Sequence, residues 1–329
     1  MPEPVAPNLP SDACTSAWLR WATAVLDAAG VPSARADAEL LLAHALEVPR
    51  SDVARRAVLG TPVPDDVAPA LAELVARRAQ RVPLQHLVGT APFRHLELAV
   101  GPGVFVPRPE TEQVAQVAVD AARAVVAGAG RATVVDLCTG SGAIALAVAT
   151  EVAGTDVHAV ELDAAAHAWA ERNVTAVREA SGVVVRLVRG DARTAFAGPA
   201  ADGGLDGTVD VVVSNPPYVP PGAVPRDPEV ADHDPGVALY GLGPDGLEVP
   251  RGITAAAARL LRPGGLYVME HAEVQAAAAR RMVAATGAFV GVRTVADLTG
   301  RDRMVVARRS GPEHAGDPEP ARERGRMDP

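Results

Sequence analysis

The sequence predicts an α/β fold: an open, mainly parallel β-sheet covered by helices and preceded by a small helical domain. Residues 133–149 indicate a strand, a glycine-rich turn and a helix in direct succession, which is how many ligand-binding α/β units begin. Residues 211–218, Val-Val-Val-Ser-Asn-Pro-Pro-Tyr, indicate a buried strand that stops abruptly, because proline cannot donate to a β-ladder and holds the preceding residue extended. Ligands bind at the carboxyl ends of such strands.

Length, composition and charge limit the possible classes of protein. The 329 residues suffice for one large domain and a smaller one, and 48% of them are hydrophobic. A formal net charge of -9 argues against non-specific binding of nucleic acid. Two cysteines, Cys14 and Cys138, are too few for a disulfide framework or a metal cluster. We therefore expect neither a direct nucleic-acid partner nor a metal.

Attachment to a membrane is not expected either. No apolar run approaches the length of about eighteen residues that a spanning helix needs. Residues 1–12 carry neither a basic region nor an apolar one of the kind that signal peptides have. These features predict a cytoplasmic protein.

The first predicted unit, residues 1–82, is a helical domain. One face of its first helix is apolar and carries Trp18, Leu19, Ala22, Val25 and Leu26. Three further helices are predicted at residues 34–46, 51–58 and 69–81. The unit contains no cluster of titratable side chains, so a role in packing or substrate docking is favoured over a catalytic one.

Residues 83–108 predict a β-hairpin linker to the main domain, which occupies residues 109–309. Apolar residues alternate along two short runs, Leu96, Leu98 and Val100 in the first and Val104 and Val106 in the second. The Gly-Pro-Gly sequence at 101–103 lies between the two runs and is typical of a turn.

Arg108 lies between two prolines, so its backbone is stiffly held. That rigidity suits a residue that shapes a binding site. An ion pair with one of the two acids, Glu110 and Glu112, at the start of the following helix explains the residue equally well, and the spacing does not decide between the two.

The glycine-rich turn at 138–142 predicts a ligand site. Gly140 and Gly142 let backbone N–H groups approach a ligand closely, and the following helix directs its positive end to the same place. Asp136, just before the turn, would repel a diphosphate. A donor with positive charge, such as S-adenosylmethionine, fits better, with Asp136 holding water or the ammonium group.

Two acids follow the next predicted strands. Glu161 ends a strand about twenty residues beyond the glycines, the spacing at which a carboxylate binds ribose hydroxyls. Glu161 is otherwise a helix-capping acid, although its neighbour Asp163 suits the N-cap better. Asp191 follows the third strand and is placed either to accept the adenine amino group or to lie in a surface loop.

Residues 215–218 predict a clamp for a planar group that carries an NH2. Asn215 offers an amide oxygen and an NH2, the Pro216 carbonyl faces no competing N–H from Pro217, and Tyr218 supplies a flat apolar face. An amide nitrogen is a poor nucleophile, so accepting its hydrogens while stacking its plane favours methyl transfer. The alternative is a turn that ends a strand and exposes a tyrosine.

Two further segments, residues 219–250 and 310–329, show no pattern of a helix or a strand. Residues 219–250 are rich in proline and contain His233 followed by Asp-Pro, which indicates a lid or binding loop. We do not assign His233 as a general base, because an amide that has accepted a methyl group loses its proton easily. Residues 310–329 are polar and predict a disordered tail.

These motifs together resemble one family closely. The segments that carry the resemblance are PLQHLVG, PGVFVPRPETE, DLCTGSGAIALA, VVVSNPPYVP, ALYGLGPDGL, LRPGGLYVMEH and GRDRMVVARR. The sequence is similar to the peptide chain release factor N5-glutamine methyltransferases of the HemK/PrmC family. Asn-Pro-Pro-Tyr alone is shared with amino-methylating DNA enzymes, whereas VPRPETE combined with the His-Asp-Pro loop is not.

The resemblance implies a class I S-adenosylmethionine-dependent methyltransferase fold, a Rossmann-like seven-stranded sheet ending in an antiparallel hairpin. It implies that the helical domain docks a class 1 peptide chain release factor. The reaction it implies is methylation of the side-chain amide nitrogen (N5) of the glutamine in the factor's Gly-Gly-Gln motif, with S-adenosyl-L-methionine as donor.

The resemblance also implies a set of site residues. The catalytic clamp that holds the glutamine amide is Asn215, Pro216, Pro217 and Tyr218, and Phe105 and Arg108 complete the substrate pocket. The donor site is Asp136, Cys138, Thr139, Gly140, Ser141, Gly142, Glu161, Asp191, Ala192 and Asn215. Two positions depart from the family pattern, because Cys138 stands where glycine is frequent and Ala192 where some members carry an aromatic residue. These departures bear on donor affinity.

Three other functions fit parts of the sequence. An adenine-N6 nucleic-acid methyltransferase uses the same clamp on a flipped base, but it needs a basic recognition region that this acidic chain lacks. An N5-glutamine methyltransferase of another protein and a binding module without activity are the remaining alternatives.

Overall fold

The computed structural model of the chain describes residues 9–10, 13–199 and 203–311. The predicted tail from residue 312 onward, and nearly all of the first twelve residues, lie outside this range. Within it, no helix combines the length and the apolar character needed to cross a bilayer.

The amino-terminal part is helical, as the periodicity of its apolar residues predicts. Trp18, Leu19, Ala22 and Leu26 are buried, and they pack with apolar residues of the neighbouring helices to form a core of their own. The helices are α1 (Thr15–Ala28), α2 (Ala34–Ala45), α3 (Arg50–Leu59), α4 (Ala68–Ala79) and the short α5 (Leu84–Val88).

A β-hairpin follows, but the predicted turn at 101–103 is wrong. The strands are β1 (Thr90–Phe93) and β2 (Leu96–Ala99), which pair antiparallel across a turn at residues 94–95. Gly101 instead packs against Trp169, whose Nε1 donates to the Pro102 carbonyl at 3.2 Å. Apolar residues 104 and 106 alternate because they are buried in a small cluster beside that tryptophan.

The main domain is an open sheet of seven strands in the order β5-β4-β3-β6-β7-β9-β8. The first five are parallel, and β9 pairs antiparallel with both β7 and β8. The strands are β3 (Ala132–Leu137), β4 (Thr155–Glu161), β5 (Val185–Arg189), β6 (Val209–Ser214), β7 (Leu261–Glu270), β8 (Phe289–Ala296) and β9 (Asp302–Arg309). The predicted seven-stranded sheet with an antiparallel end is confirmed.

Helices cover both faces of the sheet. One apolar core lies beneath the helices on one face, with Val134, Val211 and Val268 pointing into it, and a second contains the side chains of Val135, Val212 and Tyr267. The helices are α6 (Thr111–Ala129), α7 (Ala143–Glu151), α8 (Ala164–Ser181), α9 (Pro228–His233), α10 (Gly236–Leu239), α11 (Glu248–Leu260) and α12 (Ala276–Ala285).

The chain order of the strands reverses between β3 and β6. From β3 the chain builds outward to β5, and it then returns to place β6 on the other side of β3. Crevices form at the carboxyl ends of strands at such a switch point. The glycine-rich turn after β3 and the residues after β6 therefore meet at one edge of the sheet.

The segment predicted as an irregular loop at 219–250 contains regular structure. It holds the short helices α9 and α10, and α11 begins at Glu248. Glu229 in α9 forms ion pairs with Arg78 at 2.7 Å and Arg81 at 2.5 Å, and the side chains of Glu229 and Arg78 are both nearly fully buried. The segment is thereby fixed to the helical domain.

Candidate active site

A cavity of about 700 Å³ opens at the carboxyl ends of β3, β4 and β6, and α9, α10 and the residues beside them form one wall. That volume suits a small-molecule ligand. The predicted site residues that line it are Phe105, Cys138, Thr139, Gly140, Ser141, Glu161, Asp191, Ala192, Asn215, Pro217 and Tyr218. Four predicted residues that the structure describes do not line it: Arg108, Asp136, Gly142 and Pro216.

Asp136 lies behind the glycine-rich turn. It is fully buried, and its Oδ2 accepts from Thr139 Oγ1 at 2.6 Å and from the Ala145 amide at 3.1 Å. Burial raises the pKa of Asp136 to about 7. Its Oδ1 has no hydrogen-bond partner among the described residues. Asp136 therefore holds the turn against the start of α7, and it keeps one acceptor free.

The glycines of the turn supply space, and their N–H groups have protein acceptors. The Gly140 amide donates to Glu161 Oε2 and the Gly142 amide donates to the Thr139 carbonyl, each at 2.9 Å. The amides of these two glycines therefore already have acceptors within the protein. Both glycines have positive φ, and a side chain added at Gly140 would meet no atom within 4 Å. The backbone there leaves room for a ligand.

Glu161 is fixed at the end of β4 by two backbone amides. Its Oε2 accepts from Gly140 and its Oε1 accepts from the Asp163 amide at 2.8 Å. The predicted N-cap role of Asp163 is confirmed, because its carboxylate accepts from the amides of Ala165 and Ala166. Burial raises the pKa of Glu161. Glu161 nevertheless lines the cavity.

Asp191 lies on the cavity wall, but its carboxylate is already engaged. Arg193 donates to it through Nε at 2.9 Å and through Nη2 at 2.6 Å, and this hydrogen bonding lowers the pKa of Asp191. Ala192 is buried between the two residues. A ligand amino group at Asp191 would therefore share the carboxylate with a guanidinium.

Cys138 has a backbone conformation that favours glycine. Its φ is +66°, in the left-handed region that L side chains rarely adopt. Burial raises the pKa of its thiol, so the sulfur stays protonated and neutral. Cys138 therefore presents an uncharged side chain to the cavity.

The four residues of the predicted clamp, 215–218, directly follow β6. Asn215 directs its Nδ2 to Thr111 Oγ1 at 3.2 Å, which leaves Oδ1 as the acceptor that is still available. Tyr218 donates its hydroxyl to Glu270 Oε1 at 3.2 Å. Burial, and the charge of Glu270, raise the pKa of Tyr218, so the phenol keeps its proton.

Two residues of this site were not predicted from the sequence, Thr111 and Glu270. Thr111 begins α6, and its hydroxyl donates to Glu270 Oε2 at 2.8 Å. Glu270 ends β7, is 3% exposed, and burial raises its pKa to about 7. The sequence contained a usable signal, because an acid at the end of the strand beside β6 follows the rule that identified Glu161.

The clamp is supported from behind by Gln275 and two glycines. Gln275 Nε2 donates to the Tyr218 carbonyl at 2.8 Å and to the Asp245 carbonyl at 3.0 Å. A Cβ at Gly241 would lie 1.9 Å from the Gly246 carbonyl oxygen, and one at Gly246 would lie 2.4 Å from that of Tyr218. The Gly-Leu-Gly-Pro-Asp-Gly motif therefore permits close packing of two chain segments beneath the clamp.

Arg108 pairs with a partner that the sequence did not suggest. Its Nη2 binds Asp234 Oδ2 at 2.8 Å, and its guanidinium lies 5.1 Å from the centre of the Phe105 ring. Arg108 does form an ion pair, as one of the two predicted alternatives has it, but the predicted partner, Glu110 or Glu112, is wrong. Arg108 therefore connects Phe105, which lines the cavity, to Asp234 directly after α9.

Two sequence profiles match the chain, the PrmC N-terminal domain over residues 17–89 and the methyltransferase small domain over residues 115–227. The release factor glutamine methyltransferase of Streptomyces coelicolor is 47% identical over 293 residues, which cover 88% of this chain and 96% of that protein. The chain belongs to the release factor glutamine methyltransferase family. The resemblance seen in the sequence is thereby confirmed, and so is the class I methyltransferase fold.

Other relatives show the breadth of this family. The release factor glutamine methyltransferase of Mycolicibacterium smegmatis is 49% identical over 288 residues, covering 88% of this chain and 95% of that protein. The 4-amino-L-phenylalanine/4-methylamino-L-phenylalanine methyltransferase of Streptomyces pristinaespiralis is 42% identical over 269 residues, covering 81% of this chain and 86% of that protein. The family therefore includes a member named for an aromatic amine.

The cavity fits the methyl donor of this family. S-adenosylmethionine carries a sulfonium and an ammonium group, and three acidic residues, Glu161, Asp163 and Asp191, line the wall. Arg193, which also lines it, is paired with Asp191. The free Oδ1 of Asp136 lies behind the same turn. This charge pattern suits a cationic donor better than a phosphate.

Proposed function

We propose that this chain methylates the side-chain amide nitrogen of the glutamine in the Gly-Gly-Gln motif of class 1 peptide chain release factors. S-adenosyl-L-methionine, when bound, supplies an electrophilic methyl group. The observation that carries the proposal is the orientation of Asn215, whose Nδ2 is taken up by Thr111 so that Oδ1 is left to accept. An acceptor at that position suits a substrate NH2 group.

The clamp residues have separate roles in this proposal. Asn215 Oδ1 accepts one hydrogen of the substrate amide, while Pro217, Tyr218 and Phe105 enclose its plane. Pro216 does not line the cavity of the free chain, and its carbonyl is proposed to accept the second hydrogen once the substrate is bound. Holding the NH2 by both hydrogens turns the nitrogen lone pair toward the methyl group and favours the pyramidal nitrogen of the transition state. No side chain is needed as a general base, because the methylated amide is acidic enough to lose its proton to water.

The donor is proposed to bind at the glycine-rich turn. Glu161 binds the ribose hydroxyls, and Asp191, with Ala192 beside it, lies at the adenine end. The turn, with Cys138, Thr139, Gly140, Ser141 and Gly142, provides the space for the methionine part, and Asp136 acts through the turn. Metal is not part of the proposed reaction.

The substrate protein is proposed to bind across the cavity mouth and the helical domain. Val224, Val237 and Leu242 line the cavity and are 77%, 46% and 49% exposed, which gives the mouth an apolar rim on which a protein loop can pack. The ion pairs of Glu229 connect this rim to α4. We also propose a cytoplasmic location, where release factors act.

Methyl transfer to a panel of acceptors tests the proposal. The protein is incubated with labelled S-adenosylmethionine and, separately, a class 1 release factor, its Gly-Gly-Ala variant, an adenine-containing oligonucleotide and 4-amino-L-phenylalanine. We expect label only in the unmodified release factor. Label in the oligonucleotide or the amino acid would overturn the proposed substrate, and calorimetric donor binding without transfer to any acceptor would indicate a binding module.

A further inference from the structure

A buried chain of hydrogen bonds connects the two ends of the clamp. Tyr218 donates to Glu270 Oε1, Thr111 donates to Glu270 Oε2, and Asn215 Nδ2 donates to Thr111 Oγ1, over distances of 3.2, 2.8 and 3.2 Å. Glu270 and Thr111 are 3% and 5% exposed. The chain therefore runs through the protein interior behind the clamp.

The direction of each hydrogen bond follows from the chemistry of Glu270. An ionised carboxylate is an acceptor only, so it accepts a hydrogen bond from each of its two neighbours, Thr111 and Tyr218. The Thr111 hydroxyl has a single proton, and donating it to Glu270 leaves only lone pairs to face Asn215. Asn215 must then present its NH2 to Thr111, which turns its Oδ1 the other way.

The opposite orientation of the Asn215 amide is nearly the same in shape and is chemically useless. It would direct the NH2 of Asn215 at the NH2 of the substrate, so that two donors face each other. Side-chain amides have two orientations that only their hydrogen-bond partners distinguish. An enzyme of this kind therefore needs a group that fixes the orientation.

We propose that Glu270, acting through Thr111, is the positioning residue that fixes the orientation of the Asn215 amide for methyl transfer to a substrate amide. The inference rests on the proposed function of the clamp and adds two residues to it. Neither residue needs to touch the donor. The same carboxylate holds the hydroxyl of Tyr218, so one buried group aligns both the acceptor and the flat wall of the clamp.

Variants of Thr111 provide the first test. Thr111→Val keeps the shape and removes the hydroxyl, which leaves Asn215 Nδ2 without a partner whenever the amide is oriented productively. We expect kcat to fall about tenfold or more, with donor affinity by calorimetry changed less than about twofold. Thr111→Ser keeps the hydroxyl and should recover most of this loss. The assay is run near pH 8, because burial raises the pKa of Glu270 to about 7.

Thr254→Val is the matched control. Like Thr111, Thr254 is a buried threonine whose hydroxyl contacts another side chain, in this case the hydroxyl of Tyr267 at 3.0 Å. It does not line the cavity. We expect its kcat to equal that of the wild-type protein, whatever its effect on Tm. A tenfold loss of kcat in this variant would mean that lost packing explains the result for Thr111.

Two more variants complete the test: Glu270→Leu, and the double variant that combines Thr111→Val with Glu270→Leu. In Glu270→Leu the Thr111 proton is free to bond Asn215 Oδ1, so kcat should fall at least as far as in Thr111→Val. The double variant should match Glu270→Leu within about twofold, because both changes act through one chain of bonds. The inference would be overturned if the loss of kcat in the double variant equalled the product of the losses in the two single variants. Unchanged kcat in Thr111→Val would also overturn it. If the wild-type protein itself methylates no glutamine, the proposed function fails instead.

Discussion

The burial of Glu270 predicts a specific dependence of stability on pH. Its pKa rises from 4.5 to about 7 in the folded chain, with burial as the largest cause. Between pH 4.5 and about pH 7, the carboxyl group of Glu270 is therefore protonated in the folded state and largely ionised in the unfolded state. Since a proton bound more tightly by the folded state is lost as pH rises, the free energy of unfolding decreases across this interval and is lowest above it.

The magnitude follows from the two pKa values. Between about pH 5 and pH 8, the contribution of Glu270 to the free energy of unfolding falls by about 2.5 kcal/mol. Glu270→Gln keeps the size of the side chain and cannot ionise. The stability of this variant relative to the wild-type protein should therefore increase by about 2.5 kcal/mol from the lower pH to the higher.

Urea unfolding at the two pH values measures this difference. Other buried acids, such as Asp136, are present in both proteins, so their contributions cancel in the comparison. Glu273→Gln is the control, because Glu273 is exposed three residues further along the chain, and its relative stability should not change with pH. A relative stability of Glu270→Gln that is constant, or that falls as pH rises, would refute the reasoning.

Three further predictions concern the clamp, its support and the contact between domains. Asn215→Ala should lower kcat by about a hundredfold and leave donor affinity within about threefold, because it removes contacts to the reacting amide. Gly246→Ala should lower the free energy of unfolding by about 2 kcal/mol or more, since a Cβ there would lie 2.4 Å from the Tyr218 carbonyl oxygen. Its control, Gly222→Ala, has a similar positive φ but open space around the added Cβ, so it should lower the free energy of unfolding by only about 1 kcal/mol. Glu229→Gln should cost about 3 kcal/mol because it breaks buried ion pairs with two arginines, whereas Asp227→Asn, at a half-exposed side chain, should cost less than about 1 kcal/mol.

Each of these has an outcome that contradicts it. For the Asn215 variant, equal losses in kcat and donor affinity would mean that Asn215 acts mainly in binding the donor and not the substrate amide. If Gly246→Ala and Gly222→Ala are equally stable, close packing under the clamp is not the reason that position 246 excludes a side chain. Equal effects of the two carboxyl variants would show that burial does not govern the interdomain ion pairs.

The sequence predicted the parts of the fold that local patterns determine. Strands β4 and β6 each combine an apolar run with a polar residue at or directly after the carboxyl end, so both the strand and the residue that lines the cavity were evident. The hairpin was misplaced because alternation has two physical causes. At residues 104 and 106 it reflects burial against Trp169, and no strand pairing accompanies it.

Contacts between distant residues were beyond the reach of the sequence. Arg108 and Asp234 are 126 positions apart, and nothing in the local spacing selects that acid over the nearer Glu110. Thr111 begins α6, and its contact with Glu270 depends on how that helix packs beside β7. The residues of the predicted clamp are evident in the sequence, whereas the hydrogen bonds that link Asn215 and Tyr218 through Thr111 and Glu270 required the structure.

Tandem mass spectrometry of the methylated product tests the central claim most directly. A release-factor peptide containing the Gly-Gly-Gln motif, with ¹⁵N in the glutamine side-chain amide, is treated with the wild-type protein and S-adenosylmethionine. The proposed function predicts one added methyl group, retained on the fragment that contains the labelled amide. A methyl group on any other atom of the peptide, or none when the intact factor is the substrate, would contradict it.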